Sequence, residues 1–338
     1  MNLPPKEFVR VIPDRLHGFI REMMEKAGMP GDDVRLLADL LVAADLRGVH
    51  SHGIAQVPRY ANELRRKAIN ASPQIRILRE TETTAVLDGD GGLGYFPAFR
   101  AAHLVVEKAK AYGVGIATTR NHGHYGSAGH YSRIASNADC IGISASEVRC
   151  MPAPERGCVL NATCYPPVSF AIPAGDQPPI VADMALSFMC VTEDNFADLF
   201  SRMPDAFFKL LGLCAVVHSL GAILPGLFND ESGAAGQPRY EDANQGAFIV
   251  AIDVSRFLPL DEFKRQVDRF VAAARTMEPF PGCGRAELAG GLEWQREKDY
   301  ARDGIPVSLQ SLAELNAAAA ECGVAKLECS KPKPLSSR

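Results

Sequence analysis

Apolar residues recur at helical spacing through the first seventy positions. After a short strand at Phe8–Val11, Pro13 and Asp14 open a helix with proline in a permitted first-turn place. Leu16, Phe19, Ile20, Met23 and Met24 form its stripe, and Gly28 ends it. Asp32 is the expected N-cap of a second helix carried by Val34, Leu37, Leu40 and Leu41. Beyond a polar corner, Ile54, Val57, Tyr60, Ala61 and Leu64 predict a third.

Near Pro73 the pattern changes to strands and helices in alternation. Ile75–Leu78 and Thr84–Leu87 read as strands, Gly89–Gly94 as a glycine turn, Ala98–Ala111 as a helix and Val114–Thr118 as a strand. A helix at Ser127–Ala135, a strand at Ile141–Ala145 and a long loop from Arg149 to Pro179 follow. Then come a strand at Pro179–Met184, an apolar helix at Phe207–Leu224, a strand at Ala247–Val254 and an amphipathic helix at Asp261–Ala273. Pro279–Gly284 is a rigid turn marking a boundary. Helices are predicted at Leu292–Ala301 and from Ser308 or Leu309 to about Glu321, with residues 324–338 expected to fray.

At 338 residues the chain exceeds the roughly 250–300 at which a single core stops growing, so two domains are expected. A net charge of −4 without a Lys/Arg cluster excludes an electrostatic nucleic-acid binder. Nine cysteines with no Cys-x-x-Cys pair argue against a zinc ribbon or dithiol redox site, and the odd count fits a reducing cytosol. The N-terminus lacks a signal-peptide profile. Leu210–Leu227 comes close to the ~18 apolar residues of a spanning helix, but His218, Ser219, Gly221 and Pro225 interrupt it. It reads as a helix buried on all sides.

Four stretches carry candidate chemistry. Asp45 to Tyr60 concentrates His50, Ser51, His52, Arg47 and Arg59 at a helix-to-helix corner bracketed by Gly48 and Gly53. That is a place for proton transfer near neutral pH, or a polar linker whose histidines only hydrogen-bond. Gly89–Gly94 spells G-x-G-x-x-G inside a βαβ unit, the dinucleotide fingerprint, yet the following strand ends without an acidic residue for a ribose. His122, His124 and His130 could suggest a metal, but no carboxylate lies near at ligand spacing, so no metal is expected. Asp183, at the end of the Pro179–Met184 run, either caps a helix or orients a histidine or a nicotinamide amide.

Taken in order, Asp45–Tyr60, Asp88–Ala111, Gly113–Tyr131, Phe170–Ser187 and the tail from Pro281-Gly282 to Pro306 resemble the malate/L-lactate dehydrogenases of the non-Rossmann type. That group includes sulfolactate, ureidoglycolate and diketogulonate oxidoreductases and a cyclic-imine reductase. The resemblance implies an α/β fold: a mainly helical substrate and dimerisation domain from residues 1–75 and 277–338, with an inserted mixed-sheet NAD(P)-binding domain at 76–276. It implies a cytoplasmic homodimer using NAD or NADP to transfer a hydride to or from a small 2-oxo or 2-hydroxy acid. His52 matches the family's general acid/base, with Ser51 beside it; Asp183 matches an orienting aspartate and Tyr60 a substrate-side tyrosine. His124, Ser187, Lys209 and Gly212 fall at cofactor positions.

Departures accompany the match. Many relatives carry a carboxylate-gripping arginine one turn after the Ser-His-Gly histidine, where this chain has Gln56, so Arg47 or Arg59 must substitute or the substrate differs. The family's glycine-lysine-glycine motif reads Phe208-Lys209-Leu210-Leu211-Gly212, and its Gly-Thr-Asn-Pro stretch reads Asn161-Ala162-Thr163-Cys164-Tyr165-Pro166. These departures leave a second expectation open: a catalytically weakened relative acting as a binding or assembly subunit.

Overall fold

A computed structural model describes residues 4–187, 191–229 and 239–327. In chain order its strands are β1 (Phe8–Val11), β2 (Arg76–Glu80), β3 (Thr84–Asp88), β4 (Val114–His122), β5 (Cys140–Val148), β6 (Pro167–Ile172), β7 (Ile180–Ala185), β8 (Gln245–Asp253) and β9 (Ile305–Ser308). Its α-helices are α1 (Pro13–Lys26), α2 (Gly31–Leu46), α3 (Val57–Arg65), α4 (Tyr95–Tyr112), α5 (Gly129–Asn137), α6 (Glu193–Arg202), α7 (Pro204–His218), α8 (Leu260–Arg275), α9 (Gly291–Asp303) and α10 (Leu309–Cys322). The chain divides into two compact units, Met1–Pro73 with Ala274–Arg338, and Gln74–Ala273.

The first unit is mainly helical and is stitched from both chain ends. β1 pairs antiparallel with β9, setting Phe8 opposite Ser308 and Val11 opposite Ile305. The stripes of α1 and α2 meet as their spacing predicts: Leu16, Ile20, Met23, Leu37 and Leu41 have no exposed surface. α2 starts at Gly31 behind Pro30, so Asp32 lies inside its first turn and is not the N-cap. A carboxylate still stabilises the helix there, through the amide dipoles. α10 does carry a side-chain cap, since Ser308 Oγ accepts the Ser311 N–H at 3.0 Å. Val324 and Leu327 are buried, so the expected fraying does not begin at 324; residues 328–338 lie outside the described residues.

The second unit is a seven-stranded sheet of order β2-β3-β4-β8-β5-β6-β7. Only β3 and β4 run parallel, joined through α4; every other neighbouring pair is antiparallel. The sheet is therefore mixed and not a doubly wound Rossmann sheet. Alanines at 98, 101, 102 and 109 give α4 a flat face against Ala117, Ile249 and Ala251 of the central strands. β6 falls inside the stretch expected to be loop, hidden in the sequence because Pro166 precedes it and Pro167 opens it. It is held on both sides, by β5 and β7.

The apolar stretch beginning at Phe207 is helical, but it is not buried on all sides. Phe207, Cys214 and Val217 face inward, while Phe208, Val216, Ile223 and Leu224 are each more than half exposed. Periodicity reports amphipathic burial by contrast with polar positions, and a helix apolar around its whole girth offers no contrast.

Candidate active site

The corner after α2 is two short 3₁₀ turns, His50–His52 and Ile54–Gln56, leading into α3. Asp45, on the last turn of α2, organises it. One carboxylate oxygen stands 2.8 Å from His50 Nδ1, and the other accepts the Ile54 N–H at 2.6 Å. A Cβ at position 53 would collide with that carboxylate, so the motif requires glycine there on steric grounds. Burial pushes the Asp45 carboxyl above its ordinary value, while the His50 ring and the Ile54 N–H pull the other way. Sequence reading named the stretch but not this pair. The available signal was an aspartate five residues before a histidine across a helix end.

His52 is half-buried, its Nδ1 2.9 Å from the exposed Ser51 hydroxyl. Gln56 is turned back into the corner, donating to the Ser51 carbonyl at 2.7 Å. Arg47 is mostly buried, donating to Glu297 at 2.9 Å and to the Ala43 carbonyl. Arg59 is about half exposed and donates through Nε to the buried Glu63 at 2.6 Å. Tyr60 has no exposed surface, so a substrate contact by its ring requires that part of the corner to open.

In the α/β unit the glycine turn does not offer a phosphate cradle. The N–H groups of Gly89, Gly91 and Gly94 donate to the carbonyls of Arg120, Asn121 and His124 at 2.9–3.0 Å. A Cβ on Gly94 would stand 2.6 Å from His122 Nδ1, so this glycine admits the protein's own imidazole. His122 is fully buried. Its Nδ1–H must donate to the Gly123 carbonyl (2.8 Å), leaving Nε2 to accept from the Thr119 hydroxyl (2.8 Å). The ring is neutral, and burial lowers its pKa to about 4. His122, His124 and His130 do not form a metal-ligand cluster among the described residues.

Asp183 lies within β7, an edge strand, and accepts the Ser127 hydroxyl at 2.6 Å. Gly129, at the start of α5, leaves room that a side chain would take from Asp183 and Arg133. His124 is half-buried, and Ser187 lies two residues beyond β7. Lys209 and Gly212 are exposed on α7, and nothing described lies within 4 Å of a Cβ placed at Gly212. No ion pair of Lys209 occurs among the described residues. A half-buried carboxylate able to accept from an amide, and a cation without an ion pair among the described residues, are chemically compatible with a nicotinamide dinucleotide.

This architecture is the non-Rossmann dehydrogenase fold. It is shared with malate dehydrogenase from Pyrococcus horikoshii (TM-score 0.80, 30% identity, covering 96% of this chain and 98% of that one). Sulfolactate dehydrogenase from Methanocaldococcus jannaschii shares it too (TM-score 0.73, 27% identity, 93% and 98%). The chain belongs to the malate/L-lactate dehydrogenase family, whose model matches residues 11–193 and 199–316. It is thus an oxidoreductase of the CH–OH class. By sequence it is 30% identical to the Pyrococcus horikoshii malate dehydrogenase over 94% of this chain and 97% of that protein. It is likewise 30% identical to the Methanocaldococcus jannaschii L-sulfolactate dehydrogenase, over 92% and 97%.

Proposed function

We propose that this protein is an NAD- or NADP-dependent dehydrogenase that interconverts a small 2-hydroxy acid and its 2-oxo acid, acting as a cytoplasmic homodimer. The observation that carries the reading is the Ser51–His52 contact at a corner built by Asp45 and Gly53. When bound, the nicotinamide supplies or accepts the hydride at the substrate's C2 carbon. His52 handles the proton, because imidazole's ordinary pKa of ~6.5 suits both directions near neutrality.

With Nδ1 held at Ser51, we assign the substrate proton to Nε2. In reduction the imidazolium gives that proton to the forming alkoxide, while Nδ1–H donates to the Ser51 hydroxyl. The neutral ring that remains is the tautomer needed to take the proton back in oxidation. Arg59, paired through Nε with Glu63 but the more exposed of the two guanidiniums, holds the substrate carboxylate. Gln56 and Tyr60 shape the space around it. Asp183 orients the carboxamide, with His124, Ser187, Lys209 and Gly212 along the remaining cofactor. The exposed apolar face of α7 supports association of two copies.

A panel of 2-oxo acids assayed with NADH and with NADPH tests this reading. Oxidation of one reduced cofactor with at least one acid is expected. A cofactor at 100 times its Kd should stabilise the fold by ~2.7 kcal/mol. Neither turnover nor a thermal shift with either cofactor would overturn the proposal in favour of a binding or assembly subunit.

A further inference from the structure

Away from these residues, three chemistry-bearing side chains converge inside the α/β unit. Glu147 near the end of β5, Cys150 just beyond it and His218 at the end of α7 offer an oxygen, a sulfur and a nitrogen. All three atoms lie within 4.8 Å of one another. Glu147 and His218 are buried, and Cys150 is partly exposed, which leaves an entry path. Glu147 is already positioned: Oε1 accepts the Val148 N–H at 2.8 Å and Oε2 the Cys164 N–H at 3.1 Å.

His218 is the informative member. Its Nδ1 is buried, has no hydrogen-bond partner among the described residues and points at Glu147 Oε2 from 3.5 Å. That is the outer limit of a hydrogen bond. Two donors each ~2.0–2.1 Å from a tetrahedral zinc lie about 3.3–3.4 Å apart, close to the separation seen. A fourth donor, Cys164, lies outside that trio and reaches the ion by turning its side chain. The Cys164 thiol faces that of Cys150, and Arg156 donates to its sulfur at 3.3 Å.

We propose that Glu147, Cys150 and His218 form a site for one zinc-like divalent cation, closed by a turn of the Cys164 side chain, which fastens the loop between β5 and β6 to the end of α7. Two thiolates and an imidazole select a borderline-soft ion over magnesium or calcium, which take oxygen donors. Four protein ligands leave no open position, so the ion's role is structural. The ligands come from three separate elements, so no Cys-x-x-Cys spacing announces them. Cys164 also stands in the Asn161–Pro166 stretch, where this chain departs from the family pattern.

The test uses the full chain, reduced, stripped with a chelator and titrated with Co²⁺ and then Zn²⁺. One Co²⁺ per chain is expected, with tetrahedral ligand-field bands and a thiolate-to-cobalt charge-transfer band that Zn²⁺ abolishes. Disturbing residues that only support a ligand costs about 10–100-fold in metal affinity, so Cys150→Ser, Cys164→Ser and His218→Gln should each cost at least that. The charge-transfer band should weaken in both serine variants, while Cys283→Ser changes neither quantity. If His218→Gln fails to fold, the two serine variants still decide. An absent charge-transfer band, a band unaltered in both serine variants, or a Cys150–Cys164 disulfide with no metal uptake by the reduced chain overturns the proposal.

Discussion

His50 Nδ1 lies 2.8 Å from the Asp45 carboxylate, whose second oxygen holds the Ile54 N–H at 2.6 Å. One side chain at the end of α2 therefore anchors the His50 ring before Ser51 and His52 and the Ile54 amide after them. The glycine that follows His52 is the space this carboxylate occupies.

Gly53→Ala should consequently disturb both stability and chemistry. Forcing a methyl into a filled, buried position costs about 1–3 kcal/mol, and displacing the carboxylate also shifts the turn that carries His52. A lowered urea midpoint, with turnover falling further than the folded fraction, is expected. An unchanged midpoint would show that Asp45 does not need that space.

His52→Ala removes the proposed proton donor and should lower turnover by roughly 10²–10⁴. The cofactor's thermal shift should persist, because the residues proposed to hold it lie in the other unit. Full turnover in the variant would take His52 out of the mechanism.

Much of this architecture was legible in residue spacing. Apolar stripes placed α1, α2 and α3, and the shift near Pro73 marked where the sheet unit starts. What stayed hidden depends on partners remote in sequence. β9 is a four-residue strand containing Pro306, recognisable only once β1 lies beside it. α6 was missed because its phenylalanines at 196 and 200 recur only once before the helix ends. The G-x-G-x-x-G turn was legible as a turn, but not as one whose amides are consumed by the Arg120–His124 carbonyls. At the corner, motif resemblance pointed to His52, whereas the Asp45–His50 pair needed coordinates. Cys190 and Cys329 lie outside the described residues.

Gln56→Arg tests the departure at the carboxylate-gripping position. Gln56 Nε2 donates to the Ser51 carbonyl, and an arginine there retains a donor while adding a positive charge. A hydrogen bond to a charged group contributes about 1.5–3 kcal/mol, so kcat/KM for simple 2-oxo dicarboxylates should rise by about ten-fold or more. Monocarboxylates should change less. An unaltered preference across the panel would mean that position 56 does not face the substrate.

The buried His122 predicts how stability depends on pH. Burial holds its pKa at about 4 in the folded chain, against an ordinary 6.5 once unfolded. Above pH 6.5 both states are neutral and the group's full contribution to stability is present. As pH falls from 6.5 towards 4, the unfolded chain takes up the proton and the folded chain does not, so stability is lost. With each pKa unit equivalent to about 1.4 kcal/mol, the loss reaches about 3 kcal/mol near pH 4. Glutamine can keep a donor towards Gly123 and an acceptor towards Thr119 without titrating. His122→Gln should therefore be less stable than the parent at pH 7 and close most of that gap by pH 4. Unfolding free energies from urea titrations at pH 7, 5.5 and 4 give the comparison. Parallel pH profiles for the two proteins would mean that His122 is not held neutral in the folded chain.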